Sequence, residues 1–138
     1  MKPTTLFLSA LPSLAAAQGF YSTCYSTWSL GYHHSSNFVV ARCPSPSGNT
    51  TSAIDLQDCL ANHEGTLQAG RLGHALSSCR DCAASAGDAT VSCQCADSHN
   101  DYLDTSLDLD TVITSTDGIL GCFDLPGIKV NDDALVVS

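Results

Sequence analysis

Apolar and polar positions alternate in two short stretches, Val39-Val40-Ala41-Arg42-Cys43 and Val91-Ser92-Cys93-Gln94-Cys95. Apolar or cysteine side chains at every second position suit strands with one buried face. Asp55 and Asp108 follow, each just before a short apolar pattern, where a carboxylate accepts bonds from the unpaired amides that open a helical turn. Glu64-Gly65 and Asp117-Gly118 then supply the turn chemistry of a β-hairpin whose return strand carries Leu67 or Leu120. The pattern predicts three strands, a helical turn and a hairpin, twice over.

The duplication is visible residue by residue. Ser52-Ala53-Ile54-Asp55-Leu56, Cys59-Leu60, Asn62 and Glu64-Gly65-Thr66-Leu67 recur 53 residues later as Thr105-Ser106-Leu107-Asp108-Leu109, Val112-Ile113, Ser115 and Asp117-Gly118-Ile119-Leu120. Cys24 and Cys43 precede Asp55 much as Cys79 and Cys95 precede Asp108. Two repeats, one over about 20–70 and the other over about 75–123, therefore fill most of the chain.

A length of 138 residues allows one domain or two very small fused units. Five Lys and Arg against 14 Asp and Glu give a net charge of −9, which removes the positive footprint needed for nucleic acid or an anionic membrane. Eight cysteines beside only 7% aromatic residues predict a small core held by covalent staples. Lys2, the apolar run Leu6 to Leu14 and Ala15-Ala16-Ala17 read as a secretory signal peptide over 1–17, too short to serve as a membrane span. The chain is therefore expected outside the cell, where thiols oxidise. Cys79-x-x-Cys82 followed by Cys93-x-Cys95 also has a spacing that four zinc ligands could use, but an oxidising compartment and an even cysteine count favour disulfides, so no metal or cofactor is expected.

Candidates for catalysis are His33-His34, His63-Glu64, His74, His99 and the pair Asp108 and Asp110. None stands in a recognised catalytic motif. The Asp108-Leu109-Asp110 pair suggests a glycosidase acid and base, yet its repeat counterpart reads Asp55-Leu56-Gln57, and a role repeated without the second carboxylate is structural. Asn49-Thr50-Thr51 is an N-glycosylation sequon in a turn-rich loop. The C-terminal extension 124–138 reads as loosely attached, with an edge strand using Val130 and Leu135-Val136-Val137 as the other reading.

Phe20-x-x-Thr23-Cys24-Tyr25, Val39-x-Ala41-x-Cys43, Ser52-x-Ile54-Asp55-Leu56 and Asn62-x-Glu64-Gly65-x-Leu67, repeated with variation downstream, resemble the cyanovirin-N homology domain from about Phe20 to Phe123. The resemblance implies a mostly β fold over 18–123 with two pseudosymmetric repeats, each a three-stranded sheet plus a helical turn and a hairpin packed on the other repeat. It implies a lectin without enzymatic activity that binds mannose-containing glycans, including those on glycoproteins, as a monomer or a hairpin-exchanged dimer. The competing class is a secreted structural or interaction protein that keeps the scaffold without sugar binding. A small hydrolase stands behind both.

Eight cysteines allow 105 pairings. The resemblance implies Cys24–Cys43 and Cys79–Cys95, places Cys82 and Cys93 in the same two strands as the latter pair, and leaves Cys59 to meet Cys122 through hairpin exchange. It also implies two grooves. The main one joins Asn62 and Glu64 to His74, Asp97, Ser98 and Asn100. The weaker one joins Ser115 and Asp117 to Gly19, Thr23 and Ser45, with Ser115 in place of asparagine and with Pro44 and Pro46 lacking backbone donors. Ala61 and Ala96 stand in the main groove where longer polar side chains would fit.

Overall fold

A computed structural model describes residues 19–24, 28–32, 35–85 and 87–134. The expected leader, His33-His34 and Leu135-Val136-Val137 lie outside these residues. A short helix, α1 (Phe20–Thr23), precedes strands β1 (Trp28–Tyr32), β2 (Ser35–Ser45) and β3 (Gly48–Asp55), a 3-10 turn at Leu56–Asp58, and the hairpin of β4 (Leu60–His63) and β5 (Thr66–Ala69). Repeat two follows the same order: a 3-10 turn at Ala75–Ser77, then β6 (Cys79–Ala84), β7 (Thr90–Ala96) and β8 (Tyr102–Asp108), a second turn at Leu109–Thr111, and the hairpin of β9 (Thr114–Thr116) and β10 (Ile119–Cys122).

The predicted alternation sets the core. Val39, Ala41 and Cys43 on β2 and Val91, Cys93 and Cys95 on β7 are buried, with Arg42 and Ser92 exposed between them, whereas Val40 is fully buried too, so β2 is covered on both faces at that point. Asp55 accepts the Gln57 N–H at 2.9 Å and Asp108 accepts the Asp110 N–H at 2.9 Å, so both carboxylates cap their turns.

Each hairpin docks on the sheet of the other repeat through matched contacts. The Leu67 N–H donates to Thr105 Oγ1 at 3.0 Å, and the Leu120 N–H donates to Ser52 Oγ at 2.8 Å. The hairpin turns are matched too. Glu64 and Asp117 have φ of 51° and 52°, and the glycine after each has φ of 88°, the backbone that a two-residue turn of this hand requires. Both glycines are also demanded by close approach. A Cβ at Gly65 would lie 2.6 Å from Leu103 Cδ1, and one at Gly118 would lie 2.7 Å from Ser45 Cβ.

Four disulfides join Cys24 to Cys43, Cys59 to Cys122, Cys79 to Cys95 and Cys82 to Cys93, the pairs that the resemblance implies. All four cysteines of the zinc reading are thereby oxidised.

The described part of the C-terminal extension, 124–134, is docked, which corrects the loose attachment expected from its punctuation. Leu125–Pro126 (β11) pairs with β10, and Ile128–Lys129 (β12) pairs with β3 through Ile128 opposite Ala53 and Lys129 opposite Ser52. The Gly127 N–H donates to the Leu120 carbonyl at 2.7 Å, the Val130 N–H donates to the Thr51 carbonyl at 2.9 Å, and the Thr51 hydroxyl donates to Asp132 Oδ1. Because an edge strand is held by its backbone, exposed Ile128 and Lys129 serve as well as an apolar pair would. The Arg71–Asp124 ion pair joins two exposed side chains and adds little. Deleting 124–138 is expected to remove about 2 kcal/mol, from hydrogen bonds worth ~0.5–1.5 kcal/mol each, and to lower the melting temperature by about 10 °C in a calorimetric scan. An unchanged melting temperature would restore the loose attachment.

Candidate functional site

The helical turns place the two groove regions. Gln57 Oε1 accepts the Leu76 N–H at 2.7 Å, and Asp110 Oδ1 accepts the Tyr21 N–H at 2.7 Å. Each repeat thus uses the residue two after its capping aspartate to hold the first turn of the other repeat. Asp110, singled out in the sequence as half of a carboxylate pair, is therefore a tether. Sequence reasoning missed Gln57 as its partner, although the offset of 53 that aligns Asp55 with Asp108 also aligns these two.

In the region expected to form the main groove, Asn62 is the centre of the hydrogen bonding. Its Nδ2 donates to Ser78 Oγ at 2.8 Å and to the Ala96 carbonyl at 2.9 Å, while its Oδ1 accepts the Gly65 N–H at 2.8 Å. A carboxamide has two donors, and both are spent. Asn62 therefore ties the hairpin to both flanking segments of repeat two, and its remaining capacity toward a ligand is one lone pair. Ser78, which receives one of these bonds, was not among the sequence candidates, although the repeat that aligns Cys24 with Cys79 sets it opposite Thr23.

Across the groove, Glu64 Oε1 accepts the Ser98 N–H at 3.2 Å, so these two expected residues meet. Asp97 Oδ1 accepts the His99 N–H at 2.8 Å and the Asp101 N–H at 3.0 Å, while Asn100, at φ 63°, closes the loop through its own N–H to the Asp97 carbonyl. His74 is exposed and left-handed at φ 53°; its N–H donates to the Gln57 carbonyl at 2.9 Å. Among the described residues, no hydrogen bond links its imidazole to the rest of the set.

The Asp101 and His99 amides hold the Asp97 carboxyl below the usual aspartate range, with the His99 charge a smaller contribution. A depressed folded pKa stabilises the loop above the unfolded value near ~3.9, and that contribution fades as pH falls through the folded value. The His99 and Asp101 amide resonances are therefore expected to titrate together below the ordinary aspartate range. A midpoint at or above it would mean that these bonds are absent in solution.

The second groove is built differently. Ser115, opposite Leu120 in the β9–β10 pair, makes no side-chain hydrogen bond among the described residues. Thr23 Oγ1 donates to the Gly19 carbonyl at 3.2 Å, and the Thr50 hydroxyl donates to Ser45 Oγ at 2.9 Å. Gly19 is wedged against Asp110, where a Cβ would lie 2.0 Å from the carbonyl oxygen. The Asp117-Gly118 turn meets Ser45, but among the described residues nothing equivalent to Asn62 clasps the two walls. A depression on the outer face of β6–β8 pairs several of its polar groups with one another, Ser92 with Ser106 at 2.9 Å and Gln94 with Asp104 at 3.2 Å.

Comparison with known proteins bears on the family and the fold. The CVNH domain family matches residues 20–121. Among solved structures, a microvirin:mannobiose complex is 25% identical with a TM-score of 0.60, covering 76% of this chain and 98% of that one. The CVNH protein of T. borchii is 21% identical at a TM-score of 0.58, over 73% of this chain and 99% of its own. A MoCVNH3 variant in complex with (N-GlcNAc)4 is 16% identical at 0.58, over 63% and 88% respectively. No curated protein matches the sequence.

Proposed function

Because the chain belongs to the CVNH domain family, we propose that it is a secreted lectin for mannose-containing glycans, binding mainly in the Asn62 groove. The observation that carries the reading is the clasp in that groove. Asn62 joins the hairpin of repeat one to Ser78 and Ala96 of repeat two, and Glu64 spans to Ser98. Sugar hydroxyls are recognised by donors and acceptors that converge from separate loops in a fixed arrangement. The clasp supplies that arrangement before a ligand arrives, which lowers the ordering cost of binding. Glu64, His74, Ser98 and Asn100 supply the groups at its exposed rim. The similar microvirin fold is in complex with mannobiose, which supports a mannose-containing ligand.

Asp108 and Asp110 each accept a backbone amide, which supports a structural role for that pair over a glycosidase acid and base. The excess of acidic groups argues for uncharged glycans and against nucleic acid. Four disulfides favour an extracellular location. The contacts that dock each hairpin on the opposite repeat serve a monomer within one chain and a hairpin-exchanged dimer between two.

Titration with mannobiose followed by amide NMR tests the site. Shifts are expected at Glu64, His74, Ser98 and Asn100. Asn62→Ala should weaken binding about tenfold or more by loosening both walls, a loss of roughly 1.4 kcal/mol or above, while Ser115→Ala should leave affinity unchanged. Shifts confined to the Ser115 side, or full affinity in Asn62→Ala, would move the site. No shift with mannobiose or with (N-GlcNAc)4 would favour a scaffold that has lost sugar binding.

A further inference from the structure

The sequon Asn49-Thr50-Thr51 lies at the start of β3, beside the Pro46-Ser47 turn. Asn49 is exposed, whereas Thr51 is only 3% exposed, its hydroxyl bonded to Asp132 and its carbonyl to the Val130 N–H. The hydroxyl that the sequon requires is thus covered in the folded protein by a segment that comes 81 residues later in the chain.

We propose that Asn49 carries an N-linked oligosaccharide attached during synthesis, before the C-terminal extension docks on β3. This rests on the export through a secretory pathway that belongs to the proposed function. At about 5–20 residues per second, those residues give the Thr51 hydroxyl a window of roughly 4–16 s before Asp132 is made. The donor is a lipid diphosphate-linked oligosaccharide. A bond forms between Asn49 Nδ2 and C1 of its N-acetylglucosamine, the C1–O bond to the lipid diphosphate breaks, and the amide proton leaves with the lipid diphosphate.

The strand also decides where the glycan stands. Thr50 and Ser45 face Gly118 of the other repeat's hairpin, so by alternation Asn49 leaves the opposite face, the one on which Thr51 receives the extension. The oligosaccharide therefore sits beside the docked extension and away from the hairpin of repeat two.

The test is intact-mass analysis of the full chain made in a eukaryotic secreting host, with and without a peptide amidase that removes N-glycans. Expected are a mass above that of the polypeptide, its loss on amidase treatment with conversion of Asn49 to aspartate, and its absence in Asn49→Gln. Thr51→Ser should retain the modification. Deletion of 124–138 should leave the modified fraction unchanged, because transfer precedes docking. An unmodified chain, whether exported or retained, overturns the site, and a marked rise in occupancy on deletion overturns the order of events. Mass does not depend on sugar binding, so a failed lectin titration leaves this result readable by itself.

Discussion

Replacing Cys59 and Cys122 together with alanine is expected to lower the melting temperature by about 15 °C or more, the largest effect of removing any of the four bridges. The reason is topological. The other bridges span 19, 16 and 11 residues within one repeat, whereas Cys59 and Cys122 are 63 residues apart and join the two repeats. Loop closure in the unfolded chain grows with the logarithm of span, giving about 4 kcal/mol for this bridge and about 3 kcal/mol for each of the others. At roughly 4–8 °C per kcal/mol for a domain of this size, the difference is measurable. Cys59 also precedes β4 while Cys122 ends β10, so the bridge holds both hairpins at their bases. Calorimetry of the double variant beside Cys82→Ala/Cys93→Ala makes the comparison. Equal shifts would mean that the unfolded chain keeps the two repeats together without the bridge.

Phe20→Ala is expected to cost about 3–5 kcal/mol, read as a fall in the denaturation midpoint at unchanged slope. Phe20 is fully buried, packs edge-on against Trp28 with ring centroids 5.9 Å apart, and donates its N–H to the Ile113 carbonyl at 3.0 Å. The ring therefore carries α1 onto the hairpin region of repeat two. In the matching turn of repeat two the first residue is Ala75, also buried, so the two units are not anchored equally. The larger side chain leaves the larger cavity when removed. A loss below about 1 kcal/mol would show that the surroundings collapse onto the site, and that α1 is held by its hydrogen bonds to Ile113 and Asp110 instead.

The amino-acid sequence alone determined the parts of this protein that depend on neighbours along the chain. Alternation of Val39, Ala41 and Cys43 marks a strand, Asp55 and Asp108 cap the turns that follow them, and Glu64-Gly65 and Asp117-Gly118 close hairpins. These features follow from side-chain periodicity and from backbone conformations that few residues adopt, and the internal repeat states each of them twice. Family resemblance then supplied the docking of each hairpin on the other repeat.

What the tertiary structure decided is how the polar groups are shared out. The family resemblance marks Asn62 as a groove amide, and its donors go to Ser78 and Ala96, which lie 16 and 34 residues away. Asp110 reads as half of an acid pair, but it meets Tyr21 across 89 residues. The extension reads as loose because its punctuation is local, while its bonds to Leu120 and Thr51 are not. A donor or acceptor is committed only when the folded chain brings a partner within about 3 Å. No local pattern records that choice, so whether a polar residue faces a ligand or holds the fold is settled by packing between the repeats.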